Sequence, residues 1–232
     1  MGIFVGGGIV LGAGVTLTSP PPPVYGSLYF SDGTTDALTL PSVLNLTVET
    51  SFTIEAWVYS TGLNTTTVII GDISGGTAYW HLSVSTGKLN FYWTDDVDGF
   101  NSTGNTTILE NEWTHVALSV AFTNIQLFVN GQPQTVTGST NFVNTNTTSN
   151  QLTIGNQSFN AYDAFLGYMT NIRINDANSV YSTTFTPQIP LSNIAGTTLL
   201  LLVQDTAPFI DSSLGATTVT DLGSVAYNAQ YP

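Results

Sequence analysis

The sequence predicts an all-β protein built from many short strands. In residues 52–59, apolar and polar side chains alternate at a period of two, which is the pattern of a β-strand. Similar segments recur along the chain, and no long segment shows the 3.6-residue period of a helix. Hydrophobic residues make up 42% of the chain and charged residues only 7%, so Thr, Asn and Ser supply most of the polar surface. These observations indicate a sandwich or a barrel.

Turn signals separate the predicted strands. Residues 85–87 (Ser-Thr-Gly) predict one hairpin, and Asn130-Gly131 is a strong signal for a tight two-residue turn. Besides residues 52–59, the segments predicted as strands are 78–84, 88–93, 113–122, 125–129, 165–174 and 199–203. In the third of these segments, the residues predicted to share one face are Thr114, Val116, Leu118, Val120 and Phe122.

Residues 1–24 differ from the rest of the chain because they carry no charged side chain. Most of their apolar residues occupy odd-numbered positions, and four of their glycines occupy even-numbered positions. Because side chains alternate along an extended backbone, such a backbone would have one apolar face and one face almost without side chains. We expect residues 1–19 to form an extended Gly-rich arm that docks on a partner or on its own domain. Residues 20–25 then form a stiff Pro-rich spacer, and residues 26–232 form the β-sandwich. The predicted contact residues of the arm are Ile3, Val5, Ile9, Leu11, Val15 and Leu17.

Other interpretations of this segment fit less well. A signal peptide would have a basic n-region, which residues 1–24 lack. A membrane helix needs about 20 apolar residues, and this run is shorter and interrupted by glycines. A flexible leader is the remaining alternative to the arm.

The charge balance excludes several classes of partner. Asp and Glu number 15 and Lys and Arg only 2, which gives a net charge of −13. Phosphate groups are neutralised by several basic side chains, so we expect neither independent nucleic-acid binding nor attachment to an anionic membrane. The absence of cysteine excludes disulfides and thiolate chemistry.

Five segments together resemble a known superfamily. Residues 52–59, 108–120, 125–132, 152–156 and 164–174 follow one another in the order and spacing typical of laminin-G-like, concanavalin A-like jelly-roll domains. The resemblance covers about residues 26–204 and implies two packed antiparallel sheets in one domain. Trp57 and Trp113 are expected to fill the core between these sheets.

Two further segments resemble parts of phage proteins. Residues 179–213 are similar to tails that follow such domains in virion proteins of marine bacteriophages, and residues 6–17 resemble Gly-rich N-termini of structural proteins in phages of marine cyanobacteria. These resemblances imply a virion structural protein on the particle surface, either a capsid decoration or a tail- or fibre-associated protein. Its arm would contact other virion proteins, and we expect a homo-oligomer, with a trimer favoured. The alternative is a carbohydrate-binding module or an adhesin that engages host-surface glycans.

The motifs of common enzymes are absent from the sequence. There is no E-x-D-x-x-E carboxylate cluster of the kind that glucanases of this superfamily carry, and neither a phosphate-binding loop nor a G-x-S-x-G nucleophile motif. Glu110 and Glu112 are close in sequence but fall in a predicted turn. The two histidines, His81 and His115, fall in predicted strands. We therefore predict that the protein is not an enzyme.

The candidate ligand sites lie in polar loops. Asp95, Asp96 and Asp98 precede Gly99 and could supply oxygen ligands to calcium, which members of the superfamily often hold at the sandwich rim. A solvated acidic turn is the simpler explanation of the same residues. Six aromatic residues in or near loops could stack on a sugar ring, and alternation cannot tell which of them are exposed: Tyr79, Trp80, Tyr92, Trp93, Phe100 and Tyr162. The residues predicted to bind a glycan are Trp93, Asn160, Tyr162 and Asp163.

Overall fold

The fold is known from a computed structural model of the chain. The residues that the structure describes are 3–5, 9–11, 26–31, 35–41, 51–63, 66–73, 79–94, 98–142, 151–156, 163–176, 178–195, 198–202, 210–213, 217–221 and 223–228. These ranges contain eighteen strands and no helix. The strands are β1 (Ile3–Val5), β2 (Ile9–Leu11), β3 (Ser27–Phe30), β4 (Leu38–Leu40), β5 (Phe52–Ser60), β6 (Thr66–Ile73), β7 (Trp80–Ser85), β8 (Lys88–Thr94), β9 (Gly99–Thr107), β10 (Thr114–Ala121), β11 (Asn124–Val129), β12 (Gln132–Pro133), β13 (Thr137–Gly138), β14 (Gln151–Ile154), β15 (Gly167–Asp176), β16 (Thr198–Leu202), β17 (Thr220–Asp221) and β18 (Ala226–Asn228).

Two eight-stranded antiparallel sheets form a sandwich, as the sequence predicted. Sheet I has the order β12-β11-β10-β5-β15-β3-β18, and β16 pairs with β15 beside this path. Sheet II has the order β13-β9-β8-β7-β6-β14-β4-β17. One parity of each central strand faces the other sheet and forms a single hydrophobic core, to which β5 contributes Ile54 and β8 contributes Phe91.

The turn at Asn130-Gly131 is the predicted tight hairpin. Both residues have positive φ, 50° and 73°, which is the backbone of a type I′ turn between β11 and β12. A Cβ atom added to Gly131 would lie 2.0 Å from the carbonyl oxygen of Phe185, so only glycine fits there. The prediction for Phe122 was wrong, because β10 ends at Ala121 and Phe122 lies in the following turn with φ 57° and 69% exposure.

The location predicted for two tryptophans was also wrong, although both are buried. Trp57 has the parity of Glu55 and Tyr59, opposite to the residues of β5 that face the core, and Trp113 packs against Tyr59 with ring centroids 5.6 Å apart. Both rings therefore lie on the outer face of sheet I. Alternation predicted their burial but not which side of the sheet buries them.

A segment after β15 covers part of this outer face of sheet I. We call residues 178–195 the covering segment. Its Phe185 ring lies 5.6 Å from the His115 ring and 5.3 Å from that of Phe128, and it stacks on Tyr181 at 3.6 Å. The backbone N–H of Phe185 donates to the carbonyl oxygen of Gly131 at 3.0 Å. Sheet I is thus buried on both faces where the segment lies.

Beneath the covering segment lies a buried ionic cluster centred on Glu55. Its carboxylate accepts hydrogen bonds from the Arg173 side chain, with Nε at 2.8 Å, and from the Tyr181 hydroxyl at 2.8 Å, and lies 3.0 Å from Nε2 of His115. Burial alone would raise the pKa of Glu55, but His115, Arg173 and Tyr181 outweigh it and hold this pKa below its usual 4.5. Arg173 also donates to the backbone carbonyl of Ser192, so the cluster ties the segment to the sheet.

The N-terminal arm is described only in part. β1 and β2 pair as an antiparallel ribbon, with Ile3 opposite Leu11 and Val5 opposite Ile9. Val15, Leu17 and the spacer 20–25 lie outside the described residues. The division into arm, spacer and sandwich therefore stays a prediction.

We expect Trp57→Ala to lower the free energy of unfolding by about 3–5 kcal/mol, because the fully buried ring would leave a cavity beneath the covering segment. Trp113→Ala is expected to cost a similar amount. Urea unfolding followed by circular dichroism measures both. Phe122→Ala is the control, since this exposed ring contributes little, within about 0.5 kcal/mol. Equal midpoints for Trp57→Ala and wild type would contradict the placement of this ring.

Candidate functional site

The outer face of sheet II presents aromatic rings and side-chain amides together. In β7 and β8 the residues Trp80, Leu82, Phe91 and Trp93 face the core. The opposite parity places His81 and Tyr92 on the outer face, where the register pairs them directly. β7 and β8 alternate between inward and outward side chains, as half-buried strands do. At outward positions 81 and 92, however, they carry rings where charged residues are usual.

Three of these rings are packed against one another. The rings of His81 and Tyr92 stack with centroids 5.2 Å apart, and Tyr79 lies 5.4 Å from Tyr92. Tyr79 and Tyr92 are half-buried and keep solvent-facing surface, whereas His81 is only 7% exposed. The result is a small aromatic platform supported from one side by the histidine.

Polar side chains continue the platform across the neighbouring strands. The amide of Asn90 donates to Oγ1 of Thr103 at 2.8 Å and to Oδ1 of Asn101 at 3.3 Å. Asn101 is exposed and lies opposite Tyr92 in the register. Since Asn90 is held by both partners, it fixes the orientation of the exposed amide beside the rings. We call Tyr79, His81, Tyr92, Asn90, Asn101 and Thr103 the tyrosine face.

A glycine sets the position of the Tyr92 ring. A Cβ atom added to Gly99 would lie 2.5 Å from the hydroxyl oxygen of Tyr92. The Tyr92 phenol therefore lies directly over the Gly99 backbone, and any larger residue there would displace it.

The tyrosine face is neutral at physiological pH. Burial lowers the pKa of His81 from its usual 6.5 to about 4, so the imidazole carries no charge. Burial and a hydrogen bond to Tyr79 raise the pKa of Tyr92 to about 12. None of the outward-facing residues of β7, β8 and β9 in the described chain is an Asp or a Glu.

The structure corrects the prediction for Trp93. This residue has the core-facing parity of β8 and is 1% exposed, and its ring packs on Phe91, Phe100 and Phe142 at 5.2–5.5 Å. It cannot stack on a ligand outside the sheet. The ring available to a ligand is that of the preceding residue, Tyr92.

Of the other predicted glycan residues, the structure describes only Asp163. Asp163 is half-buried, and its backbone carbonyl accepts a hydrogen bond from Val68 of β6 at 2.8 Å. Burial raises the pKa of its carboxyl. Val68 pairs with Ser83, two positions along β7 from His81. Asn160 and Tyr162 lie outside the described residues.

The predicted calcium site is described at one position only. Asp98 is exposed and immediately precedes β9, while Asp95 and Asp96 lie outside the described part of the chain. Within that part, no group of three His, Asp or Glu side chains is placed to hold a metal ion. Calcium binding at this loop stays a prediction.

A second set of rings lies on the outer face of sheet I. Tyr168 stacks on Tyr29 at 4.6 Å and meets Tyr59 edge-on at 5.9 Å. All three are half-buried. Strand pairing places Tyr29 of β3 and Tyr59 of β5 on either side of Tyr168 of β15. Ala226 of β18 lies opposite Tyr29. None of these register partners in the described chain carries a side-chain amide, so the three rings serve as a control surface.

Sequence reasoning identified Tyr79 and Tyr92 as candidates but missed His81, Asn90, Asn101 and Thr103. Only Asn90 shares a strand and a parity with Tyr92 in the sequence, whereas His81, Asn101 and Thr103 are placed beside them by strand pairing. What the sequence did not reveal was that the covering segment lies on sheet I, whereas Tyr79, Tyr92 and Asn101 on sheet II keep solvent-facing surface.

Comparison with known proteins agrees with this architecture. The sequence profile of the concanavalin A-like lectin/glucanases superfamily matches residues 32–180. The chain belongs to this superfamily. No protein of curated function matches the sequence. Among the described residues there is also no helix with the length and hydropathy needed to cross a membrane.

Solved structures resemble the fold at low sequence identity. A candidate carbohydrate-binding protein from Bacteroides ovatus is 17% identical with a TM-score of 0.61; the match covers 96% of this chain and 66% of that protein. Domains LG4-5 of the mouse laminin α1 chain are 14% identical with a TM-score of 0.54, covering 91% of this chain and 49% of theirs. The CBM40 of the Ruminococcus gnavus IT-sialidase, bound to α2,3-sialyllactose, is 15% identical with a TM-score of 0.50. The match covers 69% of this chain and 95% of that module. This chain thus spans about two thirds of the Bacteroides protein and half of the laminin pair.

We expect the buried neutral His81 to make the fold sensitive to mild acid. Its folded pKa of about 4 lies below the unfolded 6.5, so protons bind the unfolded chain first as the pH falls. As the pH falls from 6.5 to 4, the free energy of unfolding therefore decreases by about 3 kcal/mol in all. Glu55, whose pKa is lowered, adds its own loss only below pH 4.5.

Urea unfolding at pH 7.5, 5.5 and 4.5 measures this loss. His81→Phe keeps a ring between Tyr79 and Tyr92 but cannot be protonated, so the variant should lose less stability than wild type over this range. An identical pH dependence in both proteins would contradict the assignment to His81.

Proposed function

We propose that this protein binds carbohydrate through the tyrosine face. The observation that carries the proposal is the aromatic platform of Tyr79 and Tyr92, which keeps solvent-facing surface beside the exposed amide of Asn101. Ligand sites combine apolar rings with a few fixed polar groups, and a sugar ring offers the matching pair: an apolar C–H face and hydroxyls at its rim.

The polar groups of the face suit hydroxyls better than charged ligands. Asn101 and Thr103 can each donate and accept hydrogen bonds, and Asn90 positions both of them. Solvent-facing side chains follow β8 and β9 from Tyr92 and Asn101 to Lys88 and Thr107, which favours an extended saccharide over a small compact molecule. The net charge of −13 disfavours polyanions such as nucleic acids.

The superfamily and the similar structures support this proposal. The Bacteroides protein is a candidate carbohydrate binder, and the Ruminococcus module holds a bound oligosaccharide. Because the identities are below 20%, these likenesses support the fold as suited to sugar binding and do not identify the sugar.

We further propose that binding occurs without turnover. Glycoside hydrolysis uses a pair of carboxyl groups that flank the scissile bond. In the described strands β7, β8 and β9, no outward residue supplies a carboxylate. A ligand lying on these three strands would thus meet no carboxyl group from their outward side chains, which supports binding without turnover.

We expect Tyr92→Ala to weaken glycan binding about tenfold, or about 1.4 kcal/mol, because an aromatic anchor would be lost. The full chain is first screened on an array of neutral and acidic oligosaccharides, and the best ligand is then titrated by calorimetry. Tyr92→Phe keeps the ring and should bind within about threefold of wild type.

Tyr168→Ala is the matched control, because Tyr168 is also a half-buried, stacked tyrosine but lies on sheet I. It should leave glycan affinity unchanged. If Tyr168→Ala abolished binding and Tyr92→Ala did not, the site would be on sheet I. An absence of any glycan binding by the wild-type protein would refute the proposed function.

A second proposal concerns where this domain is displayed. The resemblance of residues 179–213 and 6–17 to phage structural proteins favours a virion protein on the particle surface. The paired strands β1 and β2 bring four of the predicted arm residues together. In this proposal the arm attaches to other virion proteins as part of a homo-oligomer, with a trimer favoured, and the sandwich carries the tyrosine face towards host glycans.

Mass spectrometry of phage particles whose genome encodes this chain tests the second proposal. The chain should be present in wild-type particles. Ile9→Asp and Leu11→Asp should prevent incorporation while leaving the purified domain folded, since each places a carboxylate on a predicted dry surface. Particles that lack the wild-type chain, or that incorporate both variants normally, would contradict it.

A further inference from the structure

The two basic residues of the chain have very different surroundings. Arg173 is 4% exposed, and its guanidinium is bound by Glu55, the Ser192 carbonyl and the Tyr181 hydroxyl. Lys88 is half-buried and keeps solvent-facing surface. Since the chain contains only these two basic residues, Lys88 is the one permanent cation available to an outside ligand.

Lys88 lies on the same surface as the tyrosine face. It has the outward parity of β8, which it shares with Asn90 and Tyr92. At about 3.3 Å per residue, the Cα atoms of Lys88 and Tyr92 are about 13 Å apart along the strand. Asn90 lies midway between them, so rings, amide and cation follow one another in a line.

The surroundings of Lys88 leave it available. Its register partners are the short Ser85 on β7 and the exposed Thr107 on β9. Glu110 and Glu112 follow β9, which pairs with β8, and Glu110 accepts a hydrogen bond from the backbone N–H of Leu63 at 2.8 Å. Lys88 belongs to neither ion pair found in the described chain.

We propose that the tyrosine face binds an otherwise neutral saccharide that carries one acidic sugar, with the acidic group at Lys88. This inference rests on the proposed glycan binding and names its ligand class. The neutral part of the ligand lies on Tyr92 and Asn101. The carboxylate then forms a charge-assisted hydrogen bond with the ammonium group.

The number of acidic groups is limited by the charge of the protein. One carboxylate at Lys88 has an opposite charge within reach, but a second would meet no further cation and would be repelled by the net charge of −13. A polyuronate is therefore a poor ligand. A neutral oligosaccharide binds but lacks the contribution of Lys88.

The test compares matched ligands on the full chain. We use neutral xylo-oligosaccharides, the same oligosaccharides with a single glucuronic acid substituent, and polygalacturonate, and repeat the set with other neutral backbones that the array identifies. The singly acidic member should bind about fivefold more tightly than its neutral partner, as expected for one solvent-exposed ion pair. This preference should fall at 1 M salt, where the Debye length is about 3 Å.

Lys88→Gln and Lys88→Arg separate charge from packing. Lys88→Gln should bind neutral and singly acidic partners equally and keep the neutral affinity of wild type. Lys88→Arg should keep the preference, and urea midpoints verify that both variants fold. Equal binding of the two partners by wild type, a preference that survives Lys88→Gln, or tighter binding of polygalacturonate would each overturn the inference while leaving glycan binding intact. If wild type binds no saccharide at all, the proposed function itself fails.

Discussion

The carboxylate of Glu55 lies in the middle of sheet I with no exposed surface, and whatever packs on that sheet has to satisfy its charge. An unpaired buried carboxylate costs several kcal/mol, whereas one with a complete set of partners is tolerated. The partners come from three places: Arg173 on β15, His115 on β10 and Tyr181 on the covering segment. A slip of one residue in either strand pair would turn a partner to the opposite face. The cluster therefore specifies the register of the three central strands and the position of the covering segment together.

Sequence reasoning predicted β5, β10 and β15 of sheet I, but it did not predict the long strands β6 and β9 of sheet II and it misplaced two tryptophans. Alternation reports which residues share a face, and it correctly separated Ile54 from Glu55 and Trp57. It assumes that one face is wet, however, and β5 is buried on both. The covering segment has no periodicity of its own, and its contacts with sheet I span more than 50 residues of sequence, as from Phe185 to Phe128. Neither composition nor local pattern contains that information.

Prediction of the candidate site from sequence was limited in the same way. The sequence marked a run of aromatic residues around β7 and β8 but could not assign their parity to core or solvent, and it selected Trp93 rather than Tyr92. The structure assigns the parity through Phe142, which packs against Phe91 and Trp93 from within the sandwich. The amides of Asn90 and Asn101 were not predicted because they belong to different strands whose pairing places them together. The acidic residues 95 and 96 and the aromatic Tyr162 lie outside the described chain, so those parts of the prediction stay open.

The two sheets thus have different roles, and the difference follows from where the covering segment lies. Sheet I uses part of its outer face for stability, with a buried ion cluster and stacked rings beneath the covering segment. On sheet II, the outward residues Tyr79, Tyr92 and Asn101 keep solvent-facing surface. His81 beside them is buried without a partner for Nδ1, and such a group costs about 1–3 kcal/mol. That cost is offset by its ring, which supports Tyr92 from the side. The aromatic part of the tyrosine face carries no charge, so it is suited to ligands whose polar groups are hydroxyls. Lys88 is then the one point on this surface at which a charged group of the ligand can contribute to binding.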